Sequence, residues 1–281
     1  ASARTLERAE AGTVRRALKL ASAFGGANAA LVVSNEPAPP APPARARRPA
    51  YLHGGVHVTA EGSFRELAGK TGLSDERIER ADRLVRLALA ALAALAERCG
   101  DLRGAGLVVG TAMGPIETNA SFAASLREGG MRAAEPRRFA YTSPNTVAGE
   151  CSIAFGFDGP GFAVGGGLHA GVEALVAATV LVEAGDVDRV VVVAVDDVGP
   201  VTRALVGDAL TSGAVACLVS AAEGPGRKGR IGASRIRRAA TGLAASAGGH
   251  AALLPLVGPR LPREIVAVSP PDLVATVSFE V

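Results

Sequence analysis

The stretch FDGPGFAVGGGLHAGVEALVAATVLVEAGDVDRVVVVAVDD, residues 157–197, decides the fold. A short apolar run at 162–164 precedes three consecutive glycines, and a helical pattern over 168–184 leads into a second apolar run at 189–195. Strand, helix and strand in this order predict one βαβ unit, because glycine lets the backbone turn sharply between the first strand and the helix. The residue at that turn is Leu168, whose side chain carries no reactive group.

The rest of the chain continues this alternation. We predict further strands at 56–59, 106–110 and 214–220, and helices at 74–98, 119–126 and 144–155. Strands that are apolar on both sides and separated by helices are typical of a mainly parallel sheet with helices on both faces, so the expected class is α/β. Two more strands are predicted at 264–268 and 274–281, and the alternating pattern of the last one favours a place nearer an edge.

Composition and charge exclude several classes of protein. The chain has 281 residues, of which 48% are apolar and only 20% are charged, too few charges for a disordered tail or a coiled coil. The longest apolar run, 87–96, is well short of the roughly 20 residues of a membrane-spanning helix, so we expect no membrane segment. Cys99, Cys151 and Cys217 stand far apart, without the spacing of a disulfide framework or of metal ligands, which favours a reducing, cytoplasmic location.

A proline-rich segment, NEPAPPAPPARARRPA at 35–50, divides the chain. Proline fixes φ and removes a backbone donor, so we predict a semi-rigid linker at 37–50. Arginines cluster at 45–48 and again at 227–238, but hardly an aromatic residue lies beside either cluster. Without rings that stack on bases, nucleic acid binding is disfavoured, and a solvated loop or a surface for an acidic protein partner is the better interpretation.

Four motifs together resemble a known family. They are YTSPNTVAGECSIAFGFDGPGFAV at 141–164, GGGLHAGVEAL at 165–175, EAGDVDRVVVVAVDD at 183–197 and GAVACLVS at 213–220. Their order resembles the N-terminal half of a β-ketoacyl synthase of the thiolase-like fold, specifically over about residues 105–222. The resemblance implies a thiolase-like fold whose second half is shortened, since the chain soon reaches its closing pair of strands.

The chain departs from this family at the catalytic position. Aligning Gly171, Glu173 and Ala174 with the family's G-x-D-A places Leu168 where ketosynthases carry their acyl-accepting cysteine. No segment matches the H-G-T-G-T motif of the first catalytic histidine, and TGLAASAGGHAALLPLV at 241–257 only faintly resembles the motif of the second.

Two histidines are the candidate catalytic groups. His250 lies in the faint motif, and His169 follows Leu168 at a helix start, where the helix dipole disfavours a protonated imidazole. The expected elbow and oxyanion site consists of Gly165, Gly166 and Gly167.

The same glycines permit a different interpretation. Gly165, Gly167 and Ala170 satisfy the dinucleotide fingerprint G-x-G-x-x-A between a strand and a helix. The acidic Asp196, however, lies about thirty residues past Gly165, against the ~20 expected after the motif, which argues against a nicotinamide or flavin site.

The front of the chain resembles the end of a complete ketosynthase. LASAFGGANAALVV at 20–33 is similar to the closing motif N-S-F-G-F-G-G-T-N-A, with Phe24 at the gating phenylalanine. We therefore interpret 1–36 as the remnant of a preceding ketosynthase and 51–281 as a shortened second one, and the missing initial Met fits a chain cut from such a fusion. In the alternative, a permuted single domain, the strand predicted at 27–33 pairs with the main sheet.

The resemblance implies a chain-length-factor-like subunit that is not active alone. Such a subunit pairs with an active ketosynthase in polyketide or fatty-acid assembly, and acyl groups arrive on the phosphopantetheine of an acyl carrier protein without another cofactor or a metal. It would line an acyl tunnel, for which the candidates are Phe24, Met113, Ile116, Phe122 and Leu168.

Three alternatives to this function stay open. The chain could decarboxylate a malonyl-carrier thioester through His169 or His250, or condense acyl groups with an unrecognised nucleophile. It could also be a fragment that needs the rest of its polypeptide to fold.

Overall fold

The computed structural model describes residues 15–22, 28–37, 40, 46–59, 64, 66–224, 226–238, 248–269 and 273–280. The chain forms two compact units, Ala1–Arg45 and Ala46–Val281. In the first unit, β1 (Arg16–Ser22) and β2 (Asn28–Ser34) pair antiparallel in a two-stranded sheet. The strand predicted at 27–33 is therefore present and pairs with a strand that the sequence did not predict. Phe24 lies outside the described residues.

The second unit is built on one eight-stranded sheet. Its strands are β3 (Ala50–Thr59), β4 (Gly106–Thr111), β5 (Gly161–Gly165), β6 (Arg189–Asp196), β7 (Gly213–Ser220), β8 (Arg227–Arg238), β9 (Glu264–Ser269) and β10 (Leu273–Glu280). They lie side by side in the order β5-β4-β6-β7-β3-β8-β10-β9.

Strand direction changes along this sheet. β4 runs parallel to β5 and β6, whereas all other neighbouring pairs are antiparallel. The predicted α/β class is confirmed, but parallel pairing is confined to one end of the sheet. Connection length explains one of the antiparallel pairs: β9 ends at Ser269 and β10 begins at Leu273, too close for the crossover of about a dozen or more residues that parallel neighbours need.

Helices occupy both faces of the sheet. They are α1 (Leu67–Lys70), α2 (Asp75–Arg80), α3 (Arg83–Cys99), α4 (Ile116–Gly129), α5 (Pro136–Ala140), α6 (Asn145–Phe155), α7 (Ala170–Ala184) and α8 (Pro200–Val206), with 3-10 helices at Gly130–Ala133, Gly207–Ala209 and Gly249–Leu256. In the part of the chain that is described, no helix is both long enough and apolar enough to cross a membrane.

Two apolar cores hold the helices to the sheet. One face packs against α3 and α6, and the other against α7 and the 3-10 helix Gly249–Leu256. Alternate residues of β6 divide between the cores, with Val191 and Val193 in the first and Val190 and Val192 in the second. This explains why β6 is an uninterrupted apolar run in the sequence, since each of its two sides meets a covered face.

The helix predicted at 74–98 is two helices. The first ends where Ala81 takes up extended backbone, and Asp82, also extended, starts the second, because its Oδ1 accepts a hydrogen bond from the backbone N–H of Val85 at 2.9 Å. Ser74 caps α2 in the same way, through Arg77. A helix-period pattern alone does not locate such a break, because leucine spacing continues across it.

One strand of the eight-stranded sheet, β8, was not predicted from the sequence. The arginine-rich segment expected as a loop or surface forms β8, which pairs with β3 on one side and β10 on the other. Its Gly229 and Ile231 are buried, while most arginines point to solvent. β10 consequently lies one strand in from the edge formed by β9, near its predicted position.

We expect Asp82→Ala to lower the free energy of unfolding by about 1 kcal/mol, because α3 loses its N-cap bond. Asp82→Asn is the matched control, since asparagine can make the same bond without the charge and should retain most of the stability. Urea unfolding followed by circular dichroism measures both. Equal losses in the two variants would assign the effect to the carboxylate charge instead of the cap.

Candidate functional site

The turn between β5 and α7 is the candidate functional site. Gly165 ends the strand, Gly166 has φ of +111°, and the backbone N–H of Ala170 donates to the carbonyl of Gly167 at 3.1 Å. The positive φ favours glycine over any residue with a side chain. The helix begins at Ala170, two residues later than predicted, so Leu168 belongs to the turn itself.

Leu168 fills a closed apolar cluster. It is 8% exposed and packs with Ala112, Val198 and Leu210, while Met113 lies against the same cluster. The turn thus carries a hydrocarbon side chain among apolar neighbours at the position that the sequence predicts for a nucleophile.

Two other segments, at Ser269 and at Gly248–Gly249, contact Leu168. Its N–H donates to Ser269 Oγ at 3.2 Å, and its carbonyl accepts from the N–H of Gly249 at 2.8 Å. A Cβ at Gly248 would lie 2.6 Å from Leu168 Cδ2, so only glycine allows the chain to pass this close. The turn is therefore covered by the segment that leads into the 3-10 helix Gly249–Leu256.

The predicted tunnel residues do not all come together. Met113 lies beside Leu168 in the apolar cluster, but Ile116 and Phe122 are on α4 and, among the described residues, do not belong to that cluster. The Phe122 ring instead lies 5.8 Å from that of Phe139, centroid to centroid.

His250 is buried against a carboxylate that the sequence marked only as the end of a strand. Asp196 Oδ2 accepts from the backbone N–H of His250 at 2.7 Å and lies 3.1 Å from its Nδ1. Oδ1 of the same carboxylate accepts from the backbone N–H of Ala112 at 2.9 Å. Asp196 therefore joins the end of β6, the end of β4 and the 3-10 helix, and its engagement leaves it poorly placed to bind a ribose hydroxyl.

His57 lies against His250 as a stacked ring. The ring centroids are 5.8 Å apart with 21° between the planes. Partial burial and then the neighbouring His250 lower the pKa of His57 below its ordinary value. The contact between these two histidines leaves no local signal in the sequence, because they are far apart along the chain.

His169 has a different carboxylate partner. Its Nε2 lies 3.3 Å from Glu173 Oε2, one helical turn later, and its side chain is almost fully buried. Its Nδ1 has no hydrogen-bond partner among the described residues. The structure thus separates the two candidate histidines into a His169–Glu173 pair and a His250–Asp196 pair.

No described thiol supplies a replacement nucleophile at the turn. Cys151 and Cys217 belong to the two cores, and burial raises the pKa of both, that of Cys217 to about 12. Such thiols stay protonated and unreactive near neutral pH. Within the described residues there is also no group of three or more His, Cys, Asp or Glu that could hold a metal ion.

A charged cleft of about 890 Å³ was not predicted. Its lining residues are Arg77, Arg80, Asp82, Arg83, Glu117, Thr118, Ser121, Glu135, Arg137, Arg138, Ala140, Tyr141, Glu150 and Asp197. Many of its charges have structural partners; Arg77 Nε, for example, lies 2.9 Å from Glu150 Oε2. Burial acts to raise the pKa of Glu117, but hydrogen bonds from Thr202 and the start of α8 outweigh it and lower the pKa. The first pair joins α2 to α6, and the hydrogen bonds of Glu117 join α4 to α8.

Comparisons with known proteins give the fold a context. Residues 35–226 match the family model described as the N-terminal domain of beta-ketoacyl synthase. A comparison with curated proteins found no match.

Solved structures of low sequence identity share the fold. A chain of the complex between the ketosynthase ApeO and its chain length factor ApeC from Xenorhabdus doucetiae is 15% identical, with a TM-score of 0.60, and the match covers 82% of this chain and 99% of that one. The ishigamide ketosynthase/chain length factor gives 20% identity, a TM-score of 0.54, and coverage of 68% and 67%. AntDE:AntF, a type II polyketide synthase acyl-carrier protein in complex with its ketosynthase, is 14% identical with a TM-score of 0.53. The match covers 72% of this chain and 66% of that one.

We expect Asp196→Ala to lower the free energy of unfolding by about 3 kcal/mol, because buried donors of His250 and Ala112 lose their acceptor. Asp186→Ala, at an exposed position, is the control and should change stability by less than about 0.5 kcal/mol. Urea unfolding at neutral pH measures both. A loss for Asp196→Ala no larger than the control would show that Asp196 does not hold this region together.

Stability should also fall below neutral pH because of His57. Its folded-state pKa lies below the unfolded value of 6.5, so its contribution is fully present above pH 6.5 and is lost as pH falls through the folded-state pKa. His57→Gln should therefore lose less stability than the wild type between pH 7.5 and pH 5.5, which are about one unit either side of an ordinary histidine pKa. Identical pH profiles would contradict this assignment.

Proposed function

The chain belongs to the β-ketoacyl synthase family, and on this premise we propose that it is a catalytically silent subunit that pairs with an active ketosynthase in carrier-protein-dependent chain elongation. The observation that carries the proposal is the buried Leu168 in the turn between β5 and α7. A hydrocarbon side chain forms no thioester, so the acyl group must be bound covalently by another polypeptide.

The packing around Leu168 supports the proposal that this chain has no catalytic nucleophile at the turn. Gly248 passes within contact distance of this side chain, and Ser269 and Gly249 hold its backbone. Because these neighbours pack closely against the leucine side chain, the turn is shaped to hold a leucine.

Similar chains support the pairing. The match to the ApeO–ApeC complex spans almost all of the chain that it aligns with, so a chain of comparable extent occurs in an assembly of a ketosynthase with its chain length factor. Another similar structure contains an acyl-carrier protein with its ketosynthase. The proposal further holds that acyl groups reach the complex on phosphopantetheine in the cytoplasm without another cofactor, and that Leu168 and Met113 help to line an acyl tunnel.

The surface formed by β5 and α6 is suited to the ketosynthase. β5 is the edge strand of the sheet, and Ile153 on the neighbouring α6 is 57% exposed, whereas Phe162 and Val164 of β5 pack on the other face of the sheet, with α7. Asn145 Oδ1 accepts from the backbone N–H of Ala163, which blunts the strand edge against unspecific pairing. Apolar area beside a protected edge is typical of a specific protein interface.

A second candidate function rests on His169. Its buried Nδ1 has no partner in the described part of the chain, so it could hydrogen-bond the thioester oxygen of a malonyl group. Loss of CO₂ would leave its bonding electron pair in the enolate, and water would then protonate the carbon. Only the priming step of elongation would then occur on this chain.

Intact-mass spectrometry distinguishes these functions. The purified complex is incubated with acyl- and malonyl-loaded carrier protein, and we expect an adduct on the ketosynthase, none on this chain, and unchanged CO₂ release when His169 or His250 is replaced by Ala. An acyl adduct on this chain would overturn the proposal. CO₂ release that depends on His169 would support the second function instead.

Ile153→Asp should weaken the complex with the ketosynthase at least about tenfold, because a charge is buried without a partner at the interface. Val180→Asp is the matched control, since Val180 is an apolar residue with similar exposure, 50%, on α7. Analytical ultracentrifugation of the two subunits measures the dissociation constant. Equal effects of both substitutions on the dissociation constant would show that the interface does not include this face of α6.

A further inference from the structure

Six of the twelve residues of β8 are basic, but the structure divides them into two groups. In the first half of the strand, Arg227 pairs with Glu223 at 2.6 Å and Arg230 pairs with Glu280 at 3.0 Å. Lys228 Nζ donates to the carbonyls of Leu256 and Gly258. This half of the cationic segment is used within the fold.

Arg235 and Arg237 are different. Within the described part of the chain neither forms an ion pair, and both are exposed. Because side chains two residues apart on a strand lie on the same face, the two guanidinium groups project together. They line a groove of about 480 Å³, here called the arginine groove, with Ala233, Thr276, Ser278 and Glu264.

The strand register explains the groove. Thr276 lies opposite Arg235 on one side of β10 and opposite Val266 on the other. Val266 is 42% exposed, whereas the reverse face of these strands, with Ile265 and Val277, is buried in the second core. The groove thus lies on a sheet face that is open among the described residues, with a small polar floor and two cations at its rim, and the exposed Val266 side chain stands beside the lining.

The two positive charges of the arginine groove favour a negatively charged partner. Two guanidinium groups on one face bind carboxylates or phosphates in a bidentate manner, and Arg is preferred for such pairing. No aromatic side chain lines the groove, so base stacking has no support there. An acidic protein surface therefore fits the groove better than a nucleic acid.

We propose that the arginine groove docks the acidic surface of the acyl carrier protein, an inference that rests on the proposed function. Glu264, at the same groove, opposes this attraction and tunes it. The contact is mainly electrostatic, so it governs association more than tight binding and weakens as salt screens the charges.

Charge variants of the complex with the ketosynthase test the proposal, with holo-acyl carrier protein as the probe in fluorescence anisotropy. Arg235→Glu with Arg237→Glu should weaken binding at low salt about tenfold or more, and the difference should shrink at high salt. Glu264→Gln should tighten binding about twofold, since it removes a like charge. The matched control, Arg132→Glu with Arg203→Glu, makes the same change of net charge at exposed positions outside the groove and should have little effect.

The outcomes separate this inference from the proposed function. Formation of the complex with the ketosynthase is measured first by size exclusion; its absence in the wild type contradicts the proposed function. If the complex forms but both double variants bind the carrier protein equally well, the proposed docking in the arginine groove is contradicted and the proposed function is not. Single-stranded DNA of 12 nucleotides, about the site size of an oligonucleotide-binding fold, is the competing probe, and groove-dependent DNA binding tighter than carrier binding would also overturn the inference.

Discussion

The carboxylate of Asp196 is the contact on which the candidate site depends. It stands at the end of the central strand β6, is almost completely buried, and accepts hydrogen bonds from Ala112 and His250. A buried carboxylate is tolerated only when it is well paired, so this residue commits two other segments to fixed positions. One of them, the 3-10 helix Gly249–Leu256, then brings Gly248 and Gly249 over the turn that holds Leu168.

The turn between β5 and α7 carries a residue that packs but has no reactive group. Ketosynthases, as the family resemblance implies, use this turn to expose a thiol at the start of a helix. In this chain the turn between β5 and α7 presents a leucine to the apolar cluster of Ala112, Val198 and Leu210. At this turn the Leu168 side chain contributes packing, and the proposed function rests on that observation.

Local patterns predicted much of this fold. The βαβ unit around α7, the apolar β6 and the glycine turn were predictable because each depends on residues adjacent in sequence. The break at Asp82 was not, since a capping aspartate and a helical aspartate look alike until the backbone conformation is known. The strand β8 was missed because arginine is a weak strand signal; Ile231 and pairing with β3 and β10 override that preference.

The sequence by itself determined that a leucine stands at the helix-start turn and that no cysteine replaces it there, because both facts concern neighbouring residues. Tertiary structure decided the rest: that His250 is bound to Asp196 and stacked on His57, that His169 pairs elsewhere, and that only part of the arginine segment is free of internal ion pairs. Hydrogen bonds and ion pairs join residues that are distant along the chain, and their partners are chosen by strand order and packing, which no short stretch of sequence encodes.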